Sequence, residues 1–369
     1  MSKSSLNTVS LSEADRRRVR RVVAAADLAG VPQPLQRALI HRRGWMRMLA
    51  PRAAGGMELA LPAVVRLEEE IASLDGSLAW VATLCAGAGW FTGFLPPDLA
   101  REIVATPRLC IAGSGAPTGF ADRDGDGYRL TGRWDYASGA PMATHFTLNA
   151  VLREHGETVV DDAGAARIRA FIVPARHVQI VPTWGSIGLR ATASHSYAID
   201  GQWVPSSHGF IIDAACATAD GPLYRFPFMS LAFVTLTANL AGMAAHFIDL
   251  AQAVIAKRRQ AVTGIPLGDV PEVAARLRQA RHDLGAARAH FYELLDRAWE
   301  LVAGGEAVCA ADALAIQSAS LTLVQAARLP VDGLYPYCGL QAAHELSDIN
   351  RVWRDFHTAT QHALLLPQP

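Results

Sequence analysis

The residues best equipped for chemistry lie near the end of the chain, in the stretch SDINRVWRDFHTATQHALL from Ser347 to Leu365. Ser347 and Asp348 are helix N-cap residues ahead of an apolar-periodic run. On the helix this predicts, Arg351 and Asp355 stand at i,i+4 and can pair. Asp355 and His362 lie two turns apart on one stripe, with Thr358 between them. An imidazole there can change charge near neutral pH and so take or give a proton. His357 is a second imidazole, two residues past Asp355 and therefore on a different face. Arg354 and Asp355 read as structural pairing partners.

Other chemistries lack their residues. His357 and His362 are five apart, there is no H-E-x-x-H, and no His, Cys and carboxylate cluster has metal-ligand spacing. No G-x-S-x-G elbow is present to seat a nucleophilic serine. Gly113-Ser-Gly115-Ala-Pro-Thr-Gly119 has the wrong spacing for a dinucleotide fingerprint. Its glycines suit instead a loop whose backbone approaches a ligand closely.

These residues need a scaffold, and the 369-residue chain, 51% hydrophobic, can bury a large core. Its 34 basic and 34 acidic residues cancel, so net charge offers no case for nucleic acid or an anionic membrane. The basic run Arg16–Arg21 is preceded by Glu13 and Asp15 and interleaved with valines, as on the solvated face of a first helix. It is too acidic for a transit peptide. Five scattered cysteines without a C-x-x-C pair point to free thiols in a reducing, cytoplasmic setting. The uncharged runs 77–97 and 226–247 are diluted by Gly, Ser, Thr and Asn, which suits core helices better than membrane spans.

Helical signals fill the first hundred residues, over 11–28, 34–43, 61–74 (with Glu68-Glu69-Glu70 partly on the polar side), a run capped by Asp75, and 97–104. From about Leu109 the period shortens to that of strands, at 128–131, 146–151, 167–173 and 196–199. Asp124-Gly125-Asp126-Gly127 signals a hairpin. After Gly221-Pro222 the spacing predicts long helices over 226–262, 271–302 and 307–329. Pro330 and Pro336 are expected to break the third, and the closing helix makes a fourth. The expected architecture is α+β: an N-terminal helical domain (1–106), a central antiparallel β-barrel or sandwich (107–218) and a C-terminal four-helix bundle (219–369).

That order is the order of the acyl-CoA dehydrogenase superfamily, and several stretches resemble its flavin-dependent monooxygenase branch. They are Pro51-x-x-x-Gly55-Gly56, Gly132-Arg-Trp134-Asp-Tyr136-Ala-Ser138-Gly139, Gly188-Leu-Arg-Ala-Thr192-Ala-Ser194, Lys257-Arg258-Arg259, and Arg351-Val-Trp353-Arg354-Asp355 with His362. The resemblance implies reduced FMN or FAD as cofactor. Ser114 would lie on the flavin side of the β domain, with Tyr136 or Trp134 as an aromatic wall. Ser138 beside Gly139 would bond to flavin N5 or O4. Arg258 and Arg259 would reach a neighbouring subunit's flavin phosphates through the guanidinium fork. Thr192 and Ser194 either face the flavin or pack a turn. His362 would act as acid or base on the substrate.

The carboxylate seats of a thioester dehydrogenase look empty. One falls on Leu346, eight residues before Arg354, with Glu345 next door; the other falls in 226–247, which holds no Asp or Glu. The implied activity is therefore hydroxylation of a small aromatic or natural-product substrate by the oxygenase component of a two-component system. A separate flavin reductase and a homotetramer are implied as well, without nucleic acid or membrane. The alternatives are an FAD-dependent acyl-CoA dehydrogenase using Glu345, and a non-catalytic flavin- or ligand-binding relative.

Overall fold

The computed structural model describes residues 10–366. Five helices come first: α1 (Glu13–Ala29), α2 (Pro34–Arg43), α3 (Leu61–Ala72), α4 (Gly76–Trp90) and α5 (Pro97–Ala105). Eight strands follow, β1 (Ile111–Asp124), β2 (Gly127–Ala137), β3 (His145–Glu154), β4 (Glu157–Thr158), β5 (Ile168–Pro174), β6 (Gln179–Val181), β7 (His195–Pro205) and β8 (Gly209–Phe210). Long helices α6 (Phe228–Ala256), α7 (Pro271–Ala303) and α8 (Ala310–Cys338) then lead through a single turn, α9 (Leu340–Ala343), to α10 (Asp348–Ala359).

The strands form one sheet in the order β6-β7-β2-β1-β3-β5-β8, with β4 paired to β3. Asp124 pairs with Gly127 across the expected hairpin, where Gly125 takes the left-handed conformation (φ 61°). The sheet is mixed, which corrects the expectation of an antiparallel one. β2 returns beside β1, and the chain then crosses the end of β1 to lay β3 on its other edge, parallel to it. The crossover, residues 138–144, is the segment that carries Ser138. Trp134, Tyr197 and Phe146 are fully enclosed in the core of this β unit.

The helical part is organised around α6, which packs against α3, α4, α7, α8 and α10. α4 and α6 are apolar on all sides, as a helix surrounded by others must be. Both are long and apolar enough to cross a membrane, yet 83% of the residues in each apolar window lie inside the fold. α4 starts where Asp75 accepts the Leu78 amide proton at 3.1 Å.

Four local expectations are corrected. α8 runs through Pro330 and Pro336 without breaking, because Pro330, Val331 and Leu334 are buried against the neighbouring helices. That burial offsets the roughly 3 kcal/mol a mid-helix proline costs. α6 stops at Ala256, after which Arg259 and Pro266 bridge across a turn at Gly264. α10 ends at Ala359, so His362 lies outside the helix and caps a 3-10 turn over Ala363–Leu365. Glu68 and Glu69 are buried, not on a polar face: Glu69 pairs with Arg288 at 2.5 Å, and Glu68 sits among α3, α4 and α6.

Candidate active site

Three segments converge on one turn of α4. The first is the crossover after β2. The Ser138 carbonyl there accepts from the Cys85 thiol at 3.5 Å. Gly139 follows in the left-handed conformation (φ 79°), and a Cβ on it would stand 3.1 Å from Cys85 Sγ and 3.5 Å from Val81. Glycine is thus favoured by conformation, and a side chain would also crowd Cys85.

The second segment is the turn joining β6 to β7. Gly139 N–H donates to Thr192 O at 2.8 Å, and Ser138 Oγ lies 2.8 Å from Ser194 Oγ. Leu189 (φ 49°) and Ala193 (φ 46°) flank the turn in the left-handed region, and Tyr136 (φ 66°) sits just before Ser138. Three of the six non-glycine residues with positive φ among the described residues therefore gather at this corner. Strain of this kind persists only where the surroundings over-determine the backbone, as at functional sites. Trp184 donates its indole proton to Leu189 O at 3.0 Å and meets Tyr136 edge to face at 6.3 Å.

The third segment is the end of the chain. Asp355 accepts the Leu189 amide proton at 2.5 Å, and a Cβ on Gly188 would overlap Arg354 O. The expected Arg351–Asp355 pair is absent: Arg351 pairs with Asp348 at 2.7 Å, one turn earlier. Arg354 pairs with Asp27 of α1 at 2.7 Å and donates to Ile187 O. Burial raises the Asp355 carboxyl to about 7 and that of Asp75 to about 6. Three residues past α10, His362 packs edge to face on Trp80, the residue before Val81, at 5.9 Å. Ser138–Gly139 and His362 thus rest on the same helix, against Cys85 and Trp80 of α4.

The state of His362 follows from its surroundings. Its Nδ1 accepts the Leu364 amide proton at 3.3 Å, and burial lowers its pKa below the usual imidazole range. The ring is neutral with its proton on Nε2, so it presents an N–H donor. His357 points elsewhere, 3.2 Å from Asp332 of α8 and tilted against Trp353 with ring centroids 4.3 Å apart.

The remaining sequence candidates fall in three places. Tyr136 is 71% exposed at the corner, whereas Trp134 is fully buried, stacked on Tyr197 with its indole proton on Asn149 O at 2.9 Å. Trp134 therefore has no open face for a ligand. Ser114 ends the first paired stretch of β1: the register with β3 shifts between Ser114 and Gly119, where pairing resumes, leaving residues 115–118 exposed, with Gly115 O held by Asn149. This segment is extended strand, not the loop its glycines suggested. Arg258 packs on Gly339 and Arg259 donates to Gly264 O at 2.8 Å. From Met243, which abuts Gly76 at the start of α4, to Arg258 is about 20 Å along the helix axis. One chain does not bring these arginines to the Ser138 corner. They lie near a surface cavity of about 350 Å³ lined by Lys257, Gln341 and Ser347. Glu345 is held at the surface by Arg190 at 3.0 Å.

Sequence reasoning left Thr192 and Ser194 undecided and passed over Trp184, Cys85 and Glu68. The T-x-S spacing was the available signal for the first two, since alternate residues of a tight turn can point to one side.

Residues 234–367 match the family described as acyl-CoA dehydrogenase, C-terminal domain. The chain is 28% identical over 324 residues to indole-3-acetate monooxygenase of Pseudomonas putida, covering 87% of this chain and 81% of that protein. It is 25% identical to the flavin-dependent monooxygenase oxygenase subunit HsaA of Rhodococcus jostii, over 93% of this chain and 90% of the relative. Its fold matches that of XiaF from Streptomyces sp., solved with FADH2 and glycerol, with a TM-score of 0.87 at 20% identity, covering 98% of this chain and 91% of XiaF.

Proposed function

Since the chain belongs to the acyl-CoA dehydrogenase superfamily, we propose that it is the oxygenase component of a two-component flavin monooxygenase acting on a small aromatic or natural-product-like substrate. One observation carries the reading. The His362 imidazole packs on Trp80 of α4 and the segment carrying the buried Ser138 hydroxyl packs on Cys85 of the same helix, while the acid beside the dehydrogenase seat, Glu345, is tied to Arg190 at the surface. Thioester dehydrogenation needs a free carboxylate over the α-proton, and Glu345 is not placed to supply it. The relatives named as monooxygenases support the same reading.

The corner suits a reduced flavin, FMN or FAD. Tyr136 offers an exposed ring, Ser138 a hydroxyl, and residues 115–118 an open backbone held by Asn149. When bound, the flavin supplies the electrons that activate dioxygen. Ser138 and Tyr136 would orient it. Trp80 and the apolar wall of α4 would exclude water, which strengthens every polar contact inside. His362 would hold the proton at Nε2 and donate it to an oxygen of substrate or oxidant. Arg258 and Arg259, distant within one chain, fit the role of reaching a neighbour's flavin phosphates, which calls for a homotetramer. A separate reductase would supply the reduced flavin, in the cytoplasm.

The test is single-turnover oxidation. Protein loaded anaerobically with reduced flavin is mixed with isotopically labelled dioxygen and a panel of phenols and indoles. The expected product carries one labelled oxygen. Bleaching of bound oxidised flavin by an acyl-CoA thioester, with no labelled product, would establish the dehydrogenase instead.

A further inference from the structure

Three hydroxyls connect the Leu189 turn to Ser138, and their protons can be assigned one by one. Thr192 Oγ1 lies 2.8 Å from Leu189 O, Ser194 Oγ 2.7 Å from Thr192 Oγ1, and Ser138 Oγ 2.8 Å from Ser194 Oγ. Each hydroxyl has one proton to donate and lone pairs with which to accept. The carbonyl at the end of the row can only accept, so the Thr192 proton is committed to it. Thr192 must then accept from Ser194, and Ser194 from Ser138. All three hydroxyls are buried, where a contact left as two facing lone pairs is costly. Only one arrangement makes all three bonds. It leaves Ser138 Oγ with no free proton, only lone pairs.

The row is anchored at both ends. At one, Leu189 N–H donates to Asp355, and Leu189 O also accepts from Trp184 Nε1. At the other, Gly139 N–H donates to Thr192 O, and the Ser138 carbonyl is held by Cys85. No rotation of a single group reverses the row, because the carbonyl can never donate.

We propose that Thr192 and Ser194 are positioning residues that hold Ser138 as an obligate hydrogen-bond acceptor, so that the pocket selects reduced flavin, whose N5 carries a proton, over oxidised flavin, whose N5 does not. The proposal rests on the flavin reading above and deepens it. With flavin bound, Ser138 would accept from the N5–H of the reduced ring, whereas against oxidised N5 it would set lone pair against lone pair. A protein that takes its flavin reduced and must return it oxidised gains direction from this row, and neither Thr192 nor Ser194 need touch the flavin.

Anaerobic equilibrium binding of reduced and oxidised FMN and FAD, to wild type, T192V, T192S and S194A, tests it. The wild type should hold reduced flavin the more tightly. T192V and S194A release the Ser138 proton to turn toward the flavin, and the preference for reduced flavin should fall about tenfold. For a two-electron couple that is about 30 mV in the midpoint potential of the bound flavin. T192S restores the hydroxyl and should restore the preference. S194A carries the test if T192V does not fold. Flavin binding with one unchanged preference in all four proteins overturns the hydroxyl row and leaves the flavin reading standing. Failure of the wild type to bind either redox form overturns both.

Discussion

Two buried polar clusters lie on opposite faces of α4, and they are built to opposite standards. On the face of Val81 and Cys85, the row from Leu189 to Ser138 accounts for every hydroxyl proton. On the face of Thr83, two residues and therefore about 200° away, Glu68 is fully enclosed with neither carboxyl oxygen paired. Thr83 stands beside it without a well-directed bond, its oxygen taken by Asn239 Nδ2 at 2.9 Å. Asn239 Oδ1 and Thr237 Oγ1 are unpaired as well. Burial drives the Glu68 pKa well above the usual carboxylate range, which favours the neutral acid. A satisfied network fixes atoms in one arrangement, whereas a half-satisfied one stores an energetic debt. The first belongs where geometry must be exact, the second where only neutrality is needed.

The largest effect should come from removing the donor that completes the satisfied side. H362N keeps a polar side chain but loses the imidazole beside Trp80. Substrate oxidation should fall on the order of a hundredfold or more, with reduced-flavin affinity changed less than about twofold. Stopped-flow oxidation and flavin titration separate the two quantities. Equal losses in both would make His362 a structural support of the pocket. H357N, at the α8 side, should leave turnover near wild type.

Stability should then divide the two clusters. T192V removes the acceptor of the buried Ser194 hydroxyl and one of the donors to the Leu189 carbonyl, which keeps Trp184, and should cost about 1–3 kcal/mol. E68M removes two unpaired oxygens while keeping the volume, and should be neutral or stabilising, since apolar replacement of an unsatisfied buried group often is. Urea denaturation of the two variants checks the sign. A large loss in E68M would mean that Glu68 is paired after all.

What could be read from the sequence divides along a similar line. The Asp124–Gly127 hairpin and the helix–strand–helix order rest on local signals, and the fold places them as those signals imply. The hydroxyl row does not: Ser138 and Ser194 are 56 residues apart, and no periodicity joins them. Asp27 and Arg354, 327 residues apart, are further still, so the first helix gave no hint that it braces the last. Pro330 misled for a different reason. A local breaker signal was overridden by burial, which a propensity cannot see. His362 was found for its chemistry but given the wrong support, because Thr360 ends the helix where an unbroken run of helix formers was expected to continue.

The smallest effect is a pH dependence, and it reports on the anchor of the row. Asp355 is raised to about 7 by burial, from an ordinary value near 3.9 in the unfolded chain. A carboxyl with a raised folded pKa binds more protons folded than unfolded. Its contribution is therefore fully present below the unfolded pKa and is lost as pH rises through the folded one. Within that window the loss is up to about 1.4 kcal/mol per pH unit. D355N removes the titration while keeping an oxygen to accept from Leu189 N–H. Melting temperatures of D355N and wild type should be close near pH 5 and diverge toward pH 8, with the variant the more stable. Asp75, raised to about 6 by burial, titrates in both proteins, and because its charge helps to raise Asp355 the difference reports Asp355 together with that coupling. Curves that stay parallel from pH 5 to pH 8 would mean that Asp355 is ionised throughout, holding Leu189 by charge and not by a neutral carboxyl.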